Sequence, residues 1–268
     1  MKFGAVIVIF NILVLCFLGV VFGIPVIMLG PADAAVFWRG AWLLGPLALF
    51  LAGAVDCYFL ANRGVYRLLQ KEDWPALIQE LETRVIRKGG YPPHLVKLLA
   101  NTYLVLSDAR GVTELEKKLE MNKPALIRKN ALIFGTARIL TGDLTGAARF
   151  FASRLEEGGR SPWLSWYHGF ALLLDRQFAA AAREFSLLAE ESPDGIITGL
   201  SSWFLGDTLD KFLPEKGLYR LAEAGRARVL KAFKRRFDWN REIKAIETEV
   251  FAAVLSSYIN KAADFIYQ

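Results

Sequence analysis

Residues Gly135–Phe151 read GTARILTGDLTGAARFF, and 34 residues later Gly169–Phe185 read GFALLLDRQFAAAAREF. Gly135, Gly142, Leu144, Ala147 and Phe151 thus return as Gly169, Arg176, Phe178, Ala181 and Phe185, and only the second pair changes character. A period near 34 is the length of a helix–turn–helix unit that stacks on copies of itself. The small residue late in the first helix lets the second approach, while the alanine and the later aromatic fill the seam. Gly142 is placed to make the turn. Pro193, eight residues past Phe185, cannot continue a helix and closes the second unit. Gly158-Gly159 followed by Pro162 closes the first.

At these positions the sequence resembles the tetratricopeptide repeat, whose pattern has a small residue, an aromatic, an alanine, an aromatic and a proline at comparable spacing. Trp166 lies one position from the family's tryptophan, and Ser165 occupies its strict place. The clearest repeats span 128–161 and 162–194. The spacing Trp74, Leu77, Leu81 repeats that of Phe178, Ala181, Phe185, so Trp74–Leu81 reads as the second helix of a degenerate unit whose first helix is Asn62–Lys71. Tyr91-Pro92-Pro93 ends that unit. His94–Ser107 with Val112–Leu119 reads as another pair, with an irregular turn around Asp108–Gly111. After Pro193 the repeat is lost, as expected for capping helices over 195–268. Helical periodicity there covers Gly199–Lys211, Leu218–Phe237 and Asn240–Tyr267, separated by Pro214 and Gly217 and then by Asp238 and Trp239.

Working outward to the N-terminus, the composition changes. The chain has 268 residues, 54% of them hydrophobic, and residues 3–32 carry no charged side chain while 40–62 carry only Asp56. A bilayer core needs about 20 apolar residues of helix, and spans at 5–29 and 41–60 meet that length. The first is longer than the about 7–15 apolar residues of a signal peptide, so it reads as retained. Phe37, Trp38 and Trp42 mark one interface of these spans. Lys2 before the first span, and Arg63, Arg67 and Lys71 after the second, outweigh the loop 30–40, which has Arg39 offset by Asp33. The expected localisation is a bacterial inner membrane with both termini and the helical domain cytoplasmic. The expected fold is all-α, a transmembrane helical hairpin over 1–61 followed by a tetratricopeptide-like α-solenoid of antiparallel helix pairs over 62–268. The second span is expected to run into the first helix of the solenoid without a break.

The net charge is +6, with 33 basic and 27 acidic residues. Nine basic residues fall between positions 220 and 244, including Arg226, Arg228, Lys231, Lys234, Arg235 and Arg236, against Glu223, Asp238 and Glu242. Val229, Leu230, Phe233 and Phe237 are expected on the same helix. Such a stretch is either a solvated face or a surface for anionic lipid headgroups, an acidic protein or, least of all, nucleic acid.

No Gly-rich phosphate loop, His-Glu-x-x-His, Cys-x-x-Cys or nucleophile elbow occurs. Cys16 and Cys57 both lie in the apolar spans. His94 reads as a helix-start residue and His168 as a packed one, and the carboxylates fall at solvated helix positions. No enzyme, cofactor or metal is expected. Asn11 and Asp56 are the polar residues of the spans, where an ionisable group is costly and marks either an interfacial or helix-bridging role or a partner or ion site. What the resemblance implies is a scaffold or adaptor that binds protein partners in a groove beside the membrane. First-helix residues Asn101, Tyr103, Arg138, Trp166, Tyr167 and Leu172 are the expected lining. The alternatives are a structural component of an envelope, secretion or flagellar assembly, and a regulatory subunit of a membrane enzyme or transporter that uses Asp56.

Overall fold

A computed structural model describes residues 3–40, 43–158, 161–213, 217–246 and 255–268. Lys2, Trp42, Gly159 and Pro214, named above, and the first residue of the expected span 41–60 lie outside them. Every regular element among the described residues is helical. The chain divides into two compact units, Met1–Gly89 and Gly90–Gln268.

The first unit holds α1 (Phe3–Gly40), α2 (Leu44–Gln70) and α3 (Trp74–Glu82), the last continued by a π-helical turn over Thr83–Arg87. Two segments, Val8–Met28 and Leu44–Gln70, are long and apolar enough to cross a membrane. Their large side chains point outward: Leu15 and Phe17 are each 65% exposed and Phe50 is 72% exposed. Between the two segments the expected loop is instead helix. Gly30, at φ 80° and ψ 164°, breaks α1 and turns the chain. Trp38 then stacks on Phe22 with ring centroids 4.2 Å apart, although 16 residues of straight helix would separate them by about 24 Å. Between α1 and α2, Asn11 Nδ2 donates to Asp56 Oδ1 at 3.0 Å, and the Phe22 ring lies over Gly45. The partners run in opposite directions along the two helices. α2 continues unbroken past Asn62, and Arg84 ties the end of α3 back to it, donating to Glu80 at 2.7 Å and to the Ala61 carbonyl at 2.9 Å.

The second unit runs through α4 (Pro93–Val105), α5 (Ala109–Asn122), α6 (Pro124–Lys129), α7 (Ala131–Leu140), α8 (Leu144–Gly158), α9 (Pro162–Leu174) and α10 (Phe178–Glu191). α11 (Gly195–Trp203) follows and passes through a π-helical stretch, Phe204–Leu209, into α12 (Asp210–Phe212). Then come α13 (Leu218–Ala232), α14 (Arg236–Ile246) and α15 (Ser256–Ile266). α7 packs on α8, α8 on α9, α9 on α10 and α10 on α11, while α13 and α15 cover α11.

One turn recurs. Glu72, Ser107, Gly142 and Arg176 have positive φ (54°, 56°, 79° and 61°) at spacings of 35, 35 and 34 residues. Each ends a helix with the same pair of bonds. The amides of Asp73, Asp108, Asp143 and Gln177 reach back to the carbonyls of Leu68, Tyr103, Arg138 and Leu172 at 2.8–3.2 Å. The preceding amide in each case bonds the carbonyl three residues earlier. This is the left-handed helix stop that satisfies orphan carbonyls. Asp73, Asp108 and Asp143 then cap the next helix by accepting from Ala76, Gly111 and Gly146 amides at 3.0–3.2 Å. The turn at Asp108–Gly111 is therefore regular, not irregular.

The seam behind each turn repeats as well. Four residues past the cap stand Leu77, Val112, Ala147 and Ala181, and eight past it stand Leu81, Glu116, Phe151 and Phe185, all buried. Gly135 and Gly169 face the two phenylalanines so closely that a Cβ would fall 2.1 Å and 3.0 Å from the rings. Trp166 and Phe170 of α9, Phe185 of α10, Phe204 and Tyr258 form one aromatic cluster with centroids 5.1–5.9 Å apart. Side chains of this size each contribute about 1.5–3 kcal/mol on burial.

The C-terminal boundaries differ from the sequence reading. α11 starts at Gly195 rather than Gly199, α13 stops at Ala232 rather than Phe237, and Asn240 lies inside α14. The break has a cause in packing. Phe233 leaves the helix at φ −121° and ψ 87° so that its ring sits on Gly195, its edge meets Trp239 at 6.0 Å, and its carbonyl accepts from Tyr267 Oη at 2.9 Å.

Candidate functional site

The first-helix residues expected to line a groove are mostly core. Trp166 and Tyr167 have no exposed surface, Tyr103 is 3% exposed and Leu172 is 7% exposed. A side chain without surface cannot touch a partner, so these four are corrected to packing residues. Tyr103 covers Gly111 of α5, and Trp166 stacks on Phe170. Burial pushes the Tyr167 phenol well above its ordinary range, the Thr136 hydroxyl acting weakly the other way. Asn101 is half-buried on α4.

Arg138 is engaged internally. Its two terminal nitrogens meet the Glu116 carboxylate at 2.8 Å and 3.0 Å, one also reaches the Phe134 carbonyl, and the guanidinium lies 4.4 Å above the Phe150 ring. Glu116 is the charged member of a seam whose other members are Leu81, Phe151 and Phe185, and a carboxylate buried there needs a forked donor. The pair links α5 to α7.

A cleft of about 240 Å³ opens at the starts of α4, α7 and α9. Lys97, Arg128, Lys129, Asn130–Ile133, Ser161 and Leu164 line it, and none of these is acidic. Neither Asn130 nor Ser161 caps its own helix through its side chain, since the Asn130 amide donates back to the Leu126 carbonyl at 2.8 Å. The starts of α7 and α9 and the end of α6 meet at this concavity, and with Arg128 and Lys129 exposed on its lining and no carboxylate in it the site favours a negatively charged occupant. Sequence reasoning missed this cleft. Its trace is the stretch 121–142, which holds four basic residues and no acidic one.

The basic stretch is divided by the break at Phe233. Arg226 donates to the carbonyls of Ile266 and Gln268 at 3.0 Å and 3.1 Å, and Arg228 to those of Ala189 and Ser192. These two arginines tie the fold together rather than forming an open basic surface. Arg236 pairs with Asp264 at 2.7 Å, and Arg235 lies 3.5 Å from Asp238. Lys231 and Lys234 are exposed and enter no ion pair among the described residues. Phe237 begins the next helix rather than sharing one with Val229.

In the apolar helices the Asn11 amide and Asp56 carboxylate meet, half-buried between α1 and α2. Among the described residues no group of three histidine, cysteine or carboxylate side chains is placed to hold a metal ion.

Residues 111–268 match the family model described as "Uncharacterised Treponema protein". A protein of Treponema pallidum (strain Nichols), described as "Uncharacterized protein", is 31% identical over 223 residues, which are 81% of this chain and 68% of that relative. The residues of the family model take in the buried Glu116–Arg138 pair, the lining of the basic cleft apart from Lys97, and the helices that close the aromatic cluster, and by this match the chain belongs to that Treponema family.

Proposed function

We infer that this chain is a membrane-anchored, tetratricopeptide-like scaffold that holds an acidic segment of a partner protein beside the bilayer, and that it catalyses nothing. The observation that carries the reading is the helix stop repeated at 72, 107, 142 and 176, with buried seam residues at fixed offsets behind it. Units of that period stack into a solenoid, because no single pair can bury its own apolar face. The opposed contacts of Asn11 with Asp56 and Phe22 with Gly45 fit a transmembrane hairpin, with outward apolar side chains facing lipid. In that setting the Asn11–Asp56 bond acts as a clasp, giving each polar group a partner inside hydrocarbon. Arg63, Arg67 and Lys71 after the second span favour the cytoplasmic side of a bacterial inner membrane for the helical part.

The lysine- and arginine-lined cleft sets the partner's chemistry. A cavity lined by Arg128 and Lys129, with no carboxylate in its lining, selects acidic side chains and repels basic ones. The test is affinity purification of the full chain in mild detergent beside an Arg128→Glu/Lys129→Glu variant. A stoichiometric partner retained by the parent and lost from the variant, with helical content unchanged, supports the scaffold reading. If neither retains a partner, or both retain the same one, the cleft is not the binding site.

A further inference from the structure

The elbow between α13 and α14 combines features that the partner cleft does not use. Phe233, seated on Gly195 and bonded through its carbonyl to Tyr267, fixes the bend. On α14, Trp239 is 1% exposed, and Ile243 and Ile246 also pack on the core. At about 100° per residue, the side opposite these three carries Phe237, Arg241 and Lys244. All three are exposed, Phe237 to 67%. Lys231, before Phe233, and Lys234, after it, are exposed too. Of the acidic residues on α14, Asp238 faces Arg235, and Glu242, though exposed, stands about 100° or more round the helix from Phe237, Arg241 and Lys244. Among the described residues this stripe and the bend beside it thus present one bare aromatic ring and four exposed cations, and no ion pair joins any of the four to a carboxylate.

We propose that this elbow docks on the anionic headgroups of the membrane that the chain's own apolar helices occupy, with Phe237 inserted at the headgroup–acyl boundary and Lys231, Lys234, Arg241 and Lys244 around it. The inference rests on the reading that α1 and α2 cross a bilayer. A lone phenylalanine ringed by long basic side chains suits an interface that is apolar below and anionic at its surface. Protein interfaces instead bury a larger apolar core and are depleted in lysine. Each cation near an anionic surface strengthens binding about fivefold, so removing Lys234, Arg241 and Lys244 together weakens docking about a hundredfold. Losing the ring weakens it about tenfold or more.

The experiment uses the full chain carrying Cys16→Ser, Cys57→Ser and Asn240→Cys, labelled at position 240 with an environment-sensitive fluorophore. The protein is reconstituted in nanodiscs of phosphatidylcholine alone or mixed with phosphatidylglycerol. Docking gives blue-shifted, brighter emission only with phosphatidylglycerol. The shift is lost in Lys234→Gln/Arg241→Gln/Lys244→Gln, weakened in Phe237→Ser, and reversed at about 1 M salt, where screening shortens to about 3 Å. Circular dichroism of each variant checks that the fold survives. A label that reports water in both lipids overturns the proposal, as does a shift that is equal in both and indifferent to the charge changes. Failure of the chain to enter nanodiscs at all overturns the membrane-spanning reading instead, and is seen separately by co-elution.

Discussion

Replacing Arg138 with alanine should destabilise the protein more than replacing Glu116, although the two form one ion pair. The asymmetry follows from burial. The Glu116 side chain is 6% exposed and that of Arg138 is 26% exposed. Without Arg138 the carboxylate is left in the α5–α7 seam with both of its forked bonds gone, and a buried charge stripped of its partner costs about 3 kcal/mol or more. Without Glu116 the guanidinium keeps the Phe134 carbonyl, the face of Phe150 and some water, so the cost is about 1–2 kcal/mol. For a domain of this size each kcal/mol moves the melting midpoint by about 2–4 °C, which gives a loss near 10 °C for Arg138→Ala against about 4 °C for Glu116→Ala. The double variant Glu116→Leu/Arg138→Leu restores to this seam the apolar contact that Leu81, Phe151 and Phe185 supply elsewhere. It should recover most of the loss, since apolar replacement of a buried pair is often neutral or stabilising. Thermal melts of the full chain by circular dichroism, with hydrogen exchange of α5 and α7, provide the readout. Equal costs for the two alanine variants, or a double variant no more stable than Arg138→Ala, would refute the assignment of Glu116 as the desolvated member.

Two further outcomes are expected. Gly135→Ala should cost about 2–3 kcal/mol, because its Cβ would overlap the buried Phe151 ring, whereas Gly169→Ala meets Phe185 at 3.0 Å and should lie within about 1 kcal/mol of neutral, the helix propensity of alanine offsetting a small shift; parallel melts compare them. Tyr167 is held protonated by burial, with its pKa raised above the ordinary 10.0, so the native state keeps a proton that the unfolded chain releases. Stability should therefore be full below about pH 10 and fall above it, and Tyr167→Phe should flatten that alkaline limb in denaturant titrations.

The helical class and the 34-residue period were legible because Gly135, Ala147 and Phe151 recur as Gly169, Ala181 and Phe185 at positions where packing admits few residue types. The helix stops were harder to read. Gly142 announces a left-handed residue, but Glu72, Ser107 and Arg176 adopt the same conformation with side chains that disfavour it by about 1–2 kcal/mol, held there by two backbone bonds each. The bend at Phe233 depends on a contact with Gly195, 38 positions away, and no local pattern encodes it. The expected groove residues failed for a related reason. Large aromatics on a first helix satisfy the seam before they satisfy a partner, so Trp166 and Tyr167 went inside. The fold-back of α1 likewise hangs on Gly30, which reads in sequence as the start of a loop.

The basic cleft and the buried ion pair share a physical origin. Between α8 and α9, and between α10 and α11, the chain passes in three residues, 159–161 and 192–194. Between α5 and α7 it inserts α6, and Arg128 and Lys129 stand at the end of that insertion. The concavity that Lys97, Arg128 and Lys129 line opens beside this longer connection. The same junction is the one where the seam carries Glu116 in place of leucine or phenylalanine, matched by Arg138 of α7. A forked ion pair tolerates little sliding, so it fixes the register of α7 on α5 where shape alone specifies it less. The register of α7 on α5 is thereby set at the junction beside which the cleft opens. Loosening the pair should accordingly weaken partner capture at the cleft even in variants that remain folded, which affinity purification of Glu116→Gln beside the parent would read.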